Sequence, residues 1–290
     1  MFQCKWAIGA AAVLFAALNL GRAADNDVYD LRGPAPEKGQ VYVSKGTLKI
    51  KDADTTMKVA GQTVNLKINL EVTSEEEAKV LAVDGRNVTK CQTKIIKERA
   101  DVTANFGGQE MKHTEPTALE KETVISERDG KKWKHVLVDS KPTEKQKKEL
   151  DSRNGIENDD DLYPADKVKV GHAWKVDASA LTKMLGNSFS DVKGSLDQKF
   201  VKIEDVDGEK CAVIESSGKL TAKMKDDGEP TIDVEMELKV TTHKSLKTGV
   251  NMKEKFTGKI KLEGTQKMDD IKVEIKMAGP ISGESTSKLK

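Results

Sequence analysis

Beyond its first twenty residues this sequence has no long apolar run, no block of like charge and few cysteines. No later stretch is apolar enough to cross a membrane as a helix, so no transmembrane segment is expected after processing. Net charge is +1 with Lys and Glu interleaved, which leaves no electrostatic footprint for nucleic acid and no block suited to a strongly anionic lipid surface. The four histidines, His113, His135, His172 and His243, are scattered, and neither His-Glu-x-x-His nor Cys-x-x-Cys occurs, so no metal or cofactor is expected. Gly-x-Ser-x-Gly is missing as well, and an acyl-transfer enzyme has no anchor. The expectation is a protein without enzymatic activity.

The N-terminus reads as an export signal over residues 1–23. Lys5 supplies an early positive charge, Ala7 to Leu20 is almost wholly apolar, and Gly21-Arg22-Ala23 ends in small residues suited to cleavage after Ala23. The apolar run of about 14 residues is short of the about 20 that a spanning helix needs. Cys4 precedes the run, so it cannot carry the lipid of a bacterial lipoprotein. A periplasmic or secreted destination follows, with about 267 residues left for one large β domain or two smaller ones.

What is present is alternation. Val64, Leu66, Ile68, Leu70 and Val72 are interleaved with Asn65, Lys67, Asn69 and Glu71; Ile232, Val234, Met236, Leu238 and Val240 are interleaved with Asp233, Glu235, Glu237 and Lys239. Successive strand side chains point to opposite faces, so the pattern describes a sheet with one oily and one wet face. Hydrophobic content of 37% against 33% charged fits a thin, one-sided core. Asp84-Gly85, Asp129-Gly130, Asp207-Gly208 and Asp227-Gly228 mark hairpins and hence antiparallel neighbours.

Strands are expected over 40–51, 55–60, 63–73, 78–84, 87–98, 100–106, 109–115, 120–128 and 131–139, then over 196–206, 209–216, 218–226, 231–243, 248–264 and 269–278. Opposite charges on neighbouring strands should pair across the wet face. A helix over 142–153 has almost no apolar stripe, Leu150 apart, and should be exposed. A second, over 178–185, is capped by Asp177, stopped by Gly186-Asn187, and has Leu181, Met184 and Leu185 to bury. Residues 279–290, small, polar and basic, should fray. The predicted architecture is mainly β: a large curved antiparallel sheet, an incomplete barrel, with two short helices. Its halves are 24–153 and 154–290. Val83-Asp84-Gly85 before Cys91 and Val206-Asp207-Gly208 before Cys211 hint that the halves are related.

Cys91 and Cys211 remain after processing. They either form a bridge closing a loop of about 120 residues, contributing roughly 3–5 kcal/mol, or lie apart as buried apolar residues. The acids from Asp151 to Asp161 offer oxygen ligands, but their order does not match a helix–loop–helix calcium loop, which favours a solvated loop. Trp174 reads as a packing residue where the chain crosses back to the sheet. Met184, Met224, Met236, Met252 and Met277 suit either an adaptable apolar surface or core filler.

The segment Pro164-x-x-x-Val168-x-Val170-Gly171-x-x-Trp174, within an exported chain of long charged hairpins, resembles one found in uncharacterised bacterial secreted proteins and lipoproteins. The layout is also similar to the periplasmic lipoprotein-carrier superfamily. That resemblance implies an incomplete barrel whose concave apolar face is covered by helices and binds acyl chains. The chain is longer than those carriers, and none of their binding residues transfers one for one. Two functions are then open. In the first, Leu66, Ile68, Leu70, Trp174, Met184, Leu185, Val234, Met236 and Leu238 line a groove for a lipid or other hydrophobic ligand. In the second, the same face is a filled core in a structural module of the cell envelope.

Overall fold

The computed structural model describes residues 27–290 apart from 131, 186–188, 227–228 and 269–270, and at 183–185, 225–226, 229–231, 266–268 and 271–272 it describes backbone alone. The expected export signal, the Asp227-Gly228 turn and the Gly186-Asn187 helix stop lie outside the described residues. In chain order the elements are β1 (Val41–Val59), β2 (Gln62–Asp84), β3 (Asn87–Phe106), β4 (Gln109–Pro116), β5 (Thr123–Asp129), β6 (Lys132–Leu137), α1 (Glu144–Ser152), a 3-10 turn (Asp160–Leu162), β7 (Ala173–Asp177), α2 (Ala178–Leu185), β8 (Phe189–Val206), β9 (Glu209–Asp226), β10 (Glu229–Ser245), β11 (Asn251–Met268) and β12 (Ile271–Leu289).

All twelve strands belong to one antiparallel sheet of order β6-β5-β3-β2-β1-β12-β11-β10-β9-β8-β7, with β4 alongside β3. The sheet is open: its path ends at β6 and β7. Its centre joins the two ends of the chain, β1 against β12. β2 has 23 residues, which at about 3.3 Å per residue is roughly 75 Å, so one face can be apolar over one stretch and polar over another.

The strands are longer than the sequence breaks suggest. β1 runs through 52–54 because the chain bulges there: the ladder shifts between Ile50 and Ala53, Asp52 takes φ 46°, and its amide donates to Asn69 Oδ1 at 2.8 Å. Bulges bend a strand and increase its twist, which curves the sheet here. β2 runs through the acidic stretch 74–77 because each acid finds a cation: Glu75 meets Lys45 at 2.9 Å, Glu76 meets Arg153 at 3.3 Å and Glu77 meets Lys290. The wet face carries the expected cross-strand pairs, among them Lys49–Glu71 at 3.0 Å, Lys223–Asp233 at 2.8 Å and Lys261–Glu235 at 3.4 Å.

One expectation is corrected. Residues 279–289 do not fray; they continue β12 and pair with Tyr42–Ile50, burying Ile281. Their small size is a packing requirement: a Cβ on Gly283 would stand 2.4 Å from the Phe256 ring. α1 is largely exposed, as expected, with Leu150 its buried exception. Thr143 and Gln146 form a capping box at its start, and Leu150 is buried with Ile95, Leu119, Val124 and Leu137.

The apolar face is packed on the C-terminal side. Leu162, Tyr163, Val168, Leu181 and Leu31 lie against Leu196, Phe200, Ile214 and Leu220. A second cluster joins Ile50, Ala53, Ile281, Ile260, Val234, Ile232 and Ala222. Cys91 and Cys211 are separate buried free thiols, not a bridge: Cys91 packs with Val80, Val88 and Trp133, while Cys211 contacts Met252 Sδ at 3.5 Å.

Candidate functional site

The inward face of the sheet changes character along β1, β2 and β12. Ile50 stands opposite Leu70 and Ile281, and Leu48 opposite Val72 and Gly283; two residues further on Gly46 stands opposite Ser74 and Ser285, and Ser44 opposite Glu76 and Ser287. Oil gives way to polar groups without any change of strand. At the polar end lies a cavity of about 730 Å³, its floor formed by Tyr42, Ser44, Glu76, Ala78, Val88 and Ser287. Its cover is the chain from Ser152 to Asp160.

That cover begins a strap, residues 153–163, which crosses the sheet between its edge strands. On β6, Trp133 donates its indole N–H to Glu157 Oε1 at 2.6 Å; on β7, Trp174 donates to the Leu162 carbonyl at 2.9 Å. Gly155 lies flat on Trp133, where a Cβ would come within 2.6 Å of the ring. Arg128 stacks 4.7 Å above the same ring and reaches Glu157 at 2.6 Å. Further along, Arg86 forks onto both oxygens of Asp160 at 2.5 and 2.8 Å. Burial raises the Asp160 carboxyl, but Arg86 and Asn158 outweigh it and hold the group below its ordinary value.

Lys244 is 1% exposed and reaches Asp159 at 2.8 Å, with its amine 4.1 Å from the centre of the Tyr163 ring. Burial lowers its pKa against the pull of Asp159. The calcium reading and the solvated-loop reading of these acids both give way. Glu157, Asp159 and Asp160 are held by Arg128, Lys244 and Arg86 beneath the strap.

Inside the cavity Arg153 spans two carboxylates, Glu98 at 2.8 Å and Glu76 at 3.3 Å. Glu76 lies deep in the molecule, yet 38% of its side-chain surface is open, because it faces the cavity. Burial raises its pKa, Arg153 opposes the rise and Glu98 adds to it. His135 Nε2 donates to the Arg153 carbonyl at 3.1 Å, which leaves Nδ1 to accept from the Ser126 hydroxyl at 2.8 Å. With Ser126 only 3% exposed, this pair positions the start of the strap rather than presenting a nucleophile.

None of the seven groove residues whose side chains are described, Leu66, Ile68, Leu70, Trp174, Val234, Met236 and Leu238, lines this cavity. Leu66, Ile68 and Leu70 are half-buried on the inward face of β2; Val234 is buried, and Met236 and Leu238 half-buried, on β10. Trp174 packs half-buried against the cluster that contains Phe200, stacks on His172 and holds the strap. The side chains of Met184 and Leu185 lie outside the described residues. Glu76, Ala78 and Ser44 were missed, although they continue the even-numbered phase of Leu66–Val72 and of Leu48–Ile50. Extending that alternation through the acidic stretch would have reached them.

No family model and no curated protein matches this chain. Among solved structures it is similar to the outer membrane protein OprG from Pseudomonas aeruginosa, at 9% identity over 89% of this chain and 99% of that one, with a TM-score of 0.20. It is similar also to a DUF1329 family protein from Desulfovibrio piger, at 10% identity over 88% and 86%, with a TM-score of 0.17. Likenesses at these scores bear no weight. No helix among the described residues is long and apolar enough to cross a membrane.

Proposed function

We propose that this chain is an exported, non-enzymatic binding protein that holds an amphipathic, lipid-like ligand, tail along the apolar inward wall and head in the strap-covered cavity. The observation that carries the reading is the switch of one continuous face from Leu48, Ile50, Leu70 and Val72 to Ser44, Ser74 and Glu76 where the cavity begins. About 730 Å³, with mixed apolar walls and a few converging polar groups, is the size and make-up of a small-molecule site. Export to the periplasm or medium rests on residues 1–23.

A second reading, a structural module of the cell envelope, is favoured by one observation: Ile50, Val234, Ile260 and Ile281 are already 92% or more buried without any ligand. Native mass spectrometry of protein purified without detergent, followed by organic extraction, separates the two. A reproducible lipid adduct supports the binder. A clean apoprotein mass that ignores added lipids supports the module. In a binder, Ile68→Asp abolishes lipid uptake by a chain that still folds; in the module the same change unfolds it.

A further inference from the structure

The strap is anchored unevenly. Its flanks are held by oil: Leu150 is 4% exposed in one apolar cluster, Leu162 and Tyr163 are 7% and 9% exposed in another. Its middle is held mostly by polar contacts, with the half-buried Ile156 packed against the cluster of Val80, Val88, Cys91 and Trp133. Among the described residues, the backbone–backbone hydrogen bonds of 153–163 reach only Leu150, Asp159 and Asp160, all local, and none reaches the sheet. The links from this middle to the sheet include Arg153 to Glu76 and Glu98, Arg128 and Trp133 to Glu157, Lys244 to Asp159 and Arg86 to Asp160. Ion pairs that are partly desolvated add little net stability against water, since each charge surrenders hydration to make them. The segment is therefore pinned at both ends by deep apolar burial, and in the middle by ion pairs and the half-buried Ile156, which is where its hold is weakest.

We infer that residues 153–160 are a lid, hinged at the end of α1 and at the Asp160–Leu162 turn, whose opening is set by its ion pairs and admits the ligand to the cavity. The inference rests on the binding role proposed above, but lid opening is measurable without any ligand. The chain carries its own reporter. Cys91 is 0% exposed and packs with Val80, Val88 and Trp133 in the cluster against which Ile156 of the strap rests. A lifted lid uncovers this thiol. Cys211 is equally buried, but its partners are Met252 and the Glu209 carbonyl, so it reports opening elsewhere.

The experiment compares disulfide-reagent modification of Cys91 in Cys4→Ser/Cys211→Ser protein with that of Cys211 in Cys4→Ser/Cys91→Ser protein. Asp160→Asn or Glu157→Gln, each removing a charged partner, should raise the Cys91 rate about tenfold to a hundredfold and leave Cys211 unchanged. Raising NaCl from 0.05 M to 1 M, which shortens the screening length from over 10 Å to about 3 Å, should act in the same direction without any substitution. An unchanged Cys91 rate in both trials overturns the lid, as does a parallel rise at Cys211, which means global unfolding. Acceleration confined to Cys91 upholds the lid even if added palmitate fails to bind. Its absence overturns the lid even if palmitate binds.

Discussion

Lys244 and Asp159 should respond very unequally to loss of the other. The amine is 1% exposed and cannot regain water when its partner goes, whereas the Asp159 carboxylate keeps 31% of its side-chain surface open. Asp159→Asn therefore strands a buried cation, at about 3–5 kcal/mol by the general cost of breaking a buried pair from one side. Lys244→Met leaves a carboxylate that can hydrate and fills the amine's place with an apolar chain of similar length. The loss there is about 1–2 kcal/mol, one charged hydrogen bond and the ring contact with Tyr163. On a Lys244→Met background, Asp159→Asn should add less than about 0.5 kcal/mol, because there is no cation left to strand. Urea midpoints at constant m-value measure all three.

The pH dependence gives an independent check on the same pair. Burial holds the Lys244 pKa below its ordinary value, and removing Asp159 depresses it further. Between that depressed value and the unfolded value near 10.4, the unfolded chain binds a proton that the folded chain does not, so stability rises with pH. Asp159→Asn protein should thus recover stability from pH 7 to pH 10, by no more than about 1.4 kcal/mol per pH unit. Equal losses for the two single substitutions, or a larger loss for Lys244→Met, would refute the reasoning.

Leu150→Ala should cost about 2–4 kcal/mol and lower amide protection over 144–152, since this is the helix's one side chain in the apolar cluster, while Glu149 and Gln146 keep their bonds to Ala118. Glu254→Gln should stabilise the protein at pH 7: burial raises this carboxyl's pKa, so its ionised form opposes folding, and the gain should vanish as pH falls below the unfolded Glu value, as thermal melts at pH 7 and pH 4 would record. Truncation after Ala278 removes the ladder from Tyr42 to Ile50 and the buried Ile281, and should leave insoluble protein or one with a melting point lower by well over about 8 °C.

The alternation of Val64–Val72 and Ile232–Val240 made the strands and their inward faces legible, because period two is a local property of the chain. The Asp-Gly turns and the two helices were legible for the same reason. The strap was not: Glu157, Asp159 and Asp160 look like any solvated acidic run until Arg128, Lys244 and Arg86, up to 85 positions away, are brought beneath them. Nor were 279–289, whose Gly and Ser composition suggests slack chain in sequence and serves in the structure to admit Phe256. Trp174 was read both as a packing residue on the crossover and as a groove residue, and it packs half-buried against the core, but the matching part played by Trp133 depends on which strands end up at the sheet's edges.

Those two tryptophans determine what kind of enclosure the molecule has. In a closed barrel, strand number and stagger fix the bore. Here the seam between β6 and β7 is spanned by two indole N–H bonds to a strip of chain, so the girth is set by a buckle and not by a continuous ladder. The margins of the seam are only 6 and 5 residues long, so each offers little of a template for a foreign strand. Widening such a wall would cost the two indole bonds and not a single strand pairing.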